Sequence, residues 1–271
     1  MRIGDIDIVP VTDGVAMVEP GEAFRFGNVR PGAKGLTEED WAPHRNFLTD
    51  DGRLEMALGG FLIRTGDRVV VIDTGVGDMQ RGPFDGGRFL TSLAAAGVQP
   101  DDVTDVLLTH LHFDHVGWTT RHGEIVFKNA AYRCDVRDWE HFVGPNADAA
   151  ATKKLSPISD QLEPWSGSGP LLPAIDTMAA PGHTPGSTVM VVSSGADRAL
   201  LLGDAVHCPV ELLDDEWATI GDVDPDLATR TRIALAKELE GSDIPVAAAH
   251  FPGLQFGRLL SGEGRRRWVV D

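Results

Sequence analysis

Long apolar runs are missing from this chain of 271 residues, and none approaches the roughly 18 residues of a membrane span. The opening MRIGDIDIVPV lacks the cationic start and unbroken apolar stretch of a secretory signal, so no membrane partner and a cytoplasmic location are expected. Positive charge is also scarce. With 24 basic against 41 acidic residues and a net charge of −17, the chain is poorly suited to neutralising phosphate, which excludes nucleic acid as an expected partner. Cysteine is limited to Cys134 and Cys208, read as free, reduced thiols. Tyr132 is the only tyrosine. No repeat of 20–50 residues and no dividing linker is visible, so residues 1–271 are expected to form a single domain.

Apolar residues make up 42% of the chain, enough for a substantial core. Short β-rich runs bounded by turn residues occur at Val69–Asp73, Asp105–His110, Ile125–Phe127, Thr188–Val192, Ala199–Gly203 and Ile244–His250. Continuous apolar runs of that length fit strands buried on both faces. Helical patterns lie between them. One spans Phe84–Ala96 and stops at Gly97; a shorter one spans Cys134–Val143. The clearest has Asp224 as N-cap and Pro225 in the first helical position, and runs to Gly241. Alternating strands and helices predict the α/β class. Two excursions interrupt the pattern, at about residues 20–57 (with a short helix in TEEDWAPHRNF) and 144–173.

The stretch DVLLTHLHFDHVGW places three of the nine histidines and an aspartate directly after an apolar strand. Ligands gather at the carboxyl ends of strands in open α/β sheets. His110 and His112, two apart on extended backbone, can grip one ion; Asp114 and His115 are adjacent, diverge, and can reach a second. Imidazole and carboxylate suit zinc and similar divalent metals. A site of two ions needs more ligands, and three candidates lie at strand ends: His183 in APGHTPGS, Asp204 in LLLGDAVH and His250 in VAAAHFPG. Each alone is equally a turn-capping aspartate or a histidine satisfied by backbone. Together with the first cluster they complete a set of five histidines and two aspartates.

These motifs, from VVVIDTGVG through THLHFDH, PGHTPGS and GDAVH to AAHFP, resemble the metallo-β-lactamase superfamily. The resemblance implies an αβ/βα sandwich of two mixed sheets flanked by helices. It also implies one metal on His110, His112 and His183, a second on Asp114, His115 and His250, and Asp204 bridging them. Asp73, in VIDTG, would orient a ligand histidine. The nearest likeness is to the N-acyl-homoserine lactonase and methyl parathion hydrolase branch. Asp204 argues against a true β-lactamase, and His112 against the diiron branch that carries an acid there. One departure stands out: many lactonases place a tyrosine three residues after the bridging aspartate, whereas this chain has His207, open to reading either as an electrophilic assistant or as a supporting histidine.

The expected activity is a hydrolase with two divalent ions, zinc first with manganese, iron or cobalt open. The ions would share a bridging hydroxide that opens a lactone or ester of the quorum-quenching type. Asp114 or His207 would move a proton to the leaving alkoxide. The alternative is a phosphotriester or phosphodiester hydrolase; a non-catalytic metal-binding protein is the third reading. Phe24, Phe26 and Trp217 are candidate walls for the substrate, with core packing an equal explanation. By resemblance to the lactonases, the N-terminal excursion is a candidate homodimer contact.

Overall fold

The computed structural model describes residues 1–26, 36–145, 147–262 and 264–271. Its first sheet is built on strands β1 (Ile6–Val18), β2 (Leu54–Thr65), β3 (Arg68–Ile72), β4 (Asp105–Leu107) and β5 (Ala131–Arg133). They lie in the order β5-β4-β3-β2-β1. β1, β2 and β3 are antiparallel neighbours, with Ile8 opposite Ile63 and Phe61 opposite Ile72. β3, β4 and β5 run parallel, so Ile72, Leu107 and Arg133 end side by side. Short strands at Arg2–Ile3, Gln80–Arg81 and Phe84–Asp85 complete this sheet beside β1.

The second sheet follows chain order through β6 (Gly169–Leu172), β7 (Ile175–Ala179), β8 (Thr188–Ser194), β9 (Asp197–Leu201), β10 (Val246–Ala247), β11 (Gly257–Gly262) and β12 (Arg265–Val270). Only β9 and β10 are parallel, with Leu201 beside Ala247. Helices α1 (Phe89–Ala95), α2 (Val136–Val143) and α3 (Ala149–Leu155) belong to the first half; α4 (Val210–Leu213) and α5 (Pro225–Leu239) belong to the second.

Side chains of a strand alternate between faces, and the core follows that period. Ile8, Phe61, Ile63, Ile72 and Leu107 meet Met190, Val192 and Leu201 between the two sheets. Their neighbours Val11, Leu62, Val71 and Val106 face the other way, onto Phe89 and Leu93 of α1. Val189, Leu200 and Val246 face Leu235, Ala236 and Leu239 of α5. The order of layers is therefore helix, sheet, sheet, helix. Among the described residues no helix is long and apolar enough to cross a membrane.

Several elements differ from the sequence expectation. The helix expected over Phe84–Ala96 begins only at Phe89, because Phe84–Asp85 pairs with β1 and Gly87 takes a φ of 106°. Asp13 explains that start. It sits at a bulge in β1, and its buried carboxylate accepts the Gly87, Phe89, Val76 and Gly77 N–H groups and the Trp118 indole N–H at 2.8–3.0 Å. A strand residue thus caps a helix far along the chain. β4 stops at Leu107, short of His110, because the Thr109 N–H leaves the ladder for the Asp73 carboxylate at 2.8 Å. The run Ile244–His250 is a strand only at Val246–Ala247. Within the first excursion, Thr37 and Asp40 form a reciprocal cap on the short helix Glu38–Trp41, and β2 begins inside the excursion at Leu54. The second excursion is ordered as α3, a 3₁₀ turn at Ser156–Gln161 and β6.

Candidate metal centre

Five chain segments reach the same end of the sandwich: the loops after β3, β4, β9 and β10, and the turn between β7 and β8. They bring together all seven expected metal ligands. The ligand atoms of His110, His112, His183 and Asp204 lie within 4.8 Å of one another, as do those of Asp114, His115 and His250. Asp204 stands between the groups. Its Oδ1 is 3.1 Å from His115 Nε2, and its Oδ2 is 3.2, 3.4 and 3.6 Å from the Nε2 atoms of His250, His183 and His110. His250 Nε2 is 3.5 Å from Asp114.

Four histidines present Nε2 because a neighbour holds Nδ1. Asp73 holds His115 at 3.0 Å, Asp222 holds His183 at 3.1 Å, the Ala57 carbonyl holds His250 at 2.9 Å and Thr109 Oγ1 approaches His110 at 3.3 Å. His112 is reversed, with Nδ1 directed at His183 Nε2 (2.8 Å) and His110 Nε2 (3.1 Å). Asp73 also accepts the Thr109 N–H and hydroxyl, and it has a positive φ of 58°, strained for a non-glycine residue. Its placement agrees with an orienting role.

Two loops carry further supports. On α2, the buried carboxylate of Asp138 accepts the Leu111 N–H between two site histidines, the Thr184 hydroxyl beside a third, and the Gly186 N–H. The His183 turn packs on α5: the Thr231 hydroxyl donates to the Pro181 carbonyl at 2.7 Å and the Val223 N–H to the His183 carbonyl at 3.0 Å. Gly182, at φ 134°, has no room for a side chain, since a Cβ there would lie 2.2 Å from the Ala228 nitrogen.

The donors fit divalent metal. Three imidazole nitrogens face one another across 2.8–3.1 Å, and with the protons of His110 and His183 on Nδ1 they meet as lone pairs with no donor between them. Buried His115 Nε2 and Asp204 Oδ1 approach to 3.1 Å, yet among the described residues neither has a hydrogen-bond partner. Such atoms point at a common position instead of at each other, and nitrogen and carboxylate oxygen suit a zinc-like ion. Burial and the neighbouring His183 push His112 down to about 3, leaving its ring neutral and free to donate a lone pair. Burial opposes charge on His115 too, but the Asp204 and Asp73 carboxylates outweigh it and hold that ring well above its ordinary value.

His207 lies at the same pocket, its Nε2 3.2 Å from Asp204 Oδ2. Burial would lower its pKa; Asp204 and then Glu211 push it up to about 10. His44 packs against Trp217, while His122 and His141 are exposed. Cys134 and Cys208 are buried free thiols.

Of the two readings of Phe24 and Trp217, substrate wall or core, the structure supports the core. Phe24 and Trp217 are fully buried in a cluster with Trp41, with ring centroids 4.6–6.2 Å apart, so they pack the core beneath the excursion. The side chain of Phe26 lies outside the described residues. The walls come from elsewhere. A pocket of about 330 Å³ over the histidines is lined by Val18, Met56, Phe84 and Phe113. Phe84, His112 and Phe113 also border an apolar cavity of about 770 Å³ that runs past Met79, Phe142 and Ala151. Sequence reading missed Phe113, although its position inside HLHFDH, between ligands that turn inward, was the available signal. It also missed Asp138 and Asp222, which hold the site loops from distant segments, and Glu211 and Arg232, which contact His207 and Asp222 respectively.

A model of the metallo-beta-lactamase superfamily matches residues 60–249. The N-acyl homoserine lactonase AiiA of Bacillus thuringiensis subsp. kurstaki is 23% identical over 230 residues, covering 76% of this chain and 86% of the relative. Metallo-beta-lactamase domain-containing protein 1 of Xenopus laevis is 27% identical over 216 residues, covering 78% and 80%. Among solved structures, the dizinc quorum-quenching lactonase AidC superposes with a TM-score of 0.84 at 24% identity, over 100% of this chain and 96% of that one. The hydrolase AbOPH of the beta lactamase superfamily superposes with a TM-score of 0.84 at 23% identity, over 99% and 95%. At these identities the solved structures share the fold.

Proposed function

The chain belongs to the metallo-beta-lactamase superfamily, and from that premise we propose that it is a dinuclear metal hydrolase that opens a lactone or ester bearing an apolar arm. The observation that carries this reading is the convergence of seven nitrogen and oxygen donors on two adjoining positions. His110, His112 and His183 are assigned to one ion, Asp114, His115 and His250 to the other, and Asp204 to both. Zinc is the first choice for such donors, with manganese, iron or cobalt also accommodated.

Held by these residues, divalent ions would supply Lewis acidity, acidifying a water nucleophile and polarising the substrate's carbonyl oxygen. The protein's own groups do the rest. Asp73, Asp222 and the Ala57 carbonyl keep Nδ1 protonated on three histidines, so Nε2 stays available to metal. His207 lines the pocket with Nε2 3.2 Å from Asp204 Oδ2; with Asp204 engaged by metal, that N–H would serve the substrate oxygen, the task a tyrosine has in many lactonases. Asp114, half-buried at the rim, is placed to take a proton and return it to the leaving alkoxide. The apolar cavity beyond Phe113 accommodates the arm, and its walls supply burial worth about 0.8 kcal/mol per CH₂. The lactonase relatives act on N-acyl homoserine lactones by name, which fits a small polar head on an acyl chain.

The test is proton release from N-acyl-homoserine lactones by zinc- or manganese-loaded protein, beside His112→Ala. Ring opening by the parent alone is expected. Silence from parent protein holding two metals would reject the lactone assignment in favour of aryl phosphotriesters.

A further inference from the structure

We infer that Arg232 is a positioning residue that couples His183 and His207 into one unit, its guanidinium lying between the carboxylates of Asp222 and Glu211. The inference rests on the metal-site reading above and extends it to residues beyond the ligands. Arg232 is on the inward face of α5 and only 2% exposed. Its Nη2 donates to Asp222 Oδ2 at 3.1 Å, and its Nε is 3.5 Å from Glu211 Oε1.

The two carboxylates divide their oxygens in the same way. Asp222 gives Oδ1 to His183 Nδ1 at 3.1 Å and Oδ2 to the arginine. Glu211 gives Oε2 to the His207 N–H at 2.6 Å and the Cys208 N–H at 3.3 Å, with the His207 ring Nδ1 at 3.6 Å. Its other oxygen faces the arginine. A carboxylate held on one side only can rotate about its terminal torsion; a second contact to a rigid fork restricts its plane, by a hydrogen bond for Asp222 and by an ion pair for Glu211. The plane then fixes which ring nitrogen carries the proton and where the other nitrogen points. Both rings adjoin Asp204, with His183 Nε2 at 3.4 Å and His207 Nε2 at 3.2 Å. One arginine therefore sets two neighbouring rings against one carboxylate oxygen, Asp204 Oδ2. Lysine carries the same charge but has no planar fork to bridge both acids.

A buried arginine could serve charge balance alone, in which case each carboxylate would affect only its own histidine. The experiment separates the two. Ring nitrogens of His183 and His207 are followed by ¹⁵N NMR in metal-free full-length protein, in the parent, Arg232→Met and Glu211→Gln. Arg232→Met is expected to shift both rings. Glu211→Gln is expected to shift His183 as well as His207, although Glu211 has no hydrogen bond to His183. Zinc affinity by chelator competition is expected to fall about 10- to 100-fold in Arg232→Met and to stay low in Arg232→Lys. An unmoved His183 signal in Glu211→Gln, or parental zinc affinity in Arg232→Lys, overturns the inference. Should Arg232→Met not fold, Glu211→Gln decides alone, because its carboxamide keeps an oxygen for the His207 and Cys208 N–H groups. A parent that binds no zinc would reject the metal reading, while the ring measurement would still answer for Arg232.

Discussion

A single carboxylate, Asp204, stands within 3.6 Å of five imidazoles, and that crowding organises the chemistry residue by residue. His207 is the one of the five not assigned to metal. His207→Phe is therefore expected to keep both ions and lose turnover by about 10²-fold or more, the scale of a lost general acid; unchanged turnover on every ester tested would remove His207 from the mechanism. Asp138 gives a pH signature. Burial raises its carboxyl from 3.8 to about 6 against the pull of three donors. The folded state then holds this proton more tightly than the unfolded state, so its contribution to stability is full below about pH 4 and is lost as pH rises through about 6. The stability difference between parent and Asp138→Asn, from denaturant titration, is expected to shrink by on the order of 3 kcal/mol across that window. A difference independent of pH would show that the carboxyl is not displaced. The seven donors that cluster in the structure were legible because histidines and aspartates at fixed spacing after apolar runs report their own chemistry. Asp138, Asp222 and Arg232 were not, because each acts on a segment remote in the chain and nothing in its local sequence announces the contact.

Among the elements, β1 does more than fill the sheet. Its bulge at Asp13 turns a carboxylate against five N–H donors from the loops that carry Val76, Gly87 and Trp118. Those loops adjoin Asp73 and border the apolar cavity through Val76, Met79 and Phe84. Asp13→Ala strands the donors in a buried setting, so a loss of about 3 kcal/mol or more is expected by chemical denaturation. A loss under about 1 kcal/mol would mean that the loops repair themselves with other acceptors. The alternation in β-rich runs and the Asp224–Pro225 start of α5 were readable, since local pattern and capping chemistry agree with the final fold. The start of α1 was not readable, because its cap comes from Asp13, about 75 residues upstream. The choice between wall and core for Phe24 and Trp217 was left open for a related reason. Phe24 and Trp217 are brought together by pairing of the strand segments Phe24–Phe26 and Trp217–Thr219, which places both rings in the core.

For the whole molecule, two sheets are held against each other by one shared apolar layer, and the parallel strand ends on both sides of it, with the β7–β8 turn, deliver the seven donors to one edge. Nothing in any single segment makes that site; the sandwich does. The most direct measurement is the metal content of purified, metal-loaded parent and Asp204→Ala protein, read by mass spectrometry of the bound metal together with ester hydrolysis. The account predicts two ions per chain in the parent, and loss of both bound metal and turnover in Asp204→Ala. A parent that saturates at one ion, or an Asp204→Ala protein that keeps two, would contradict it.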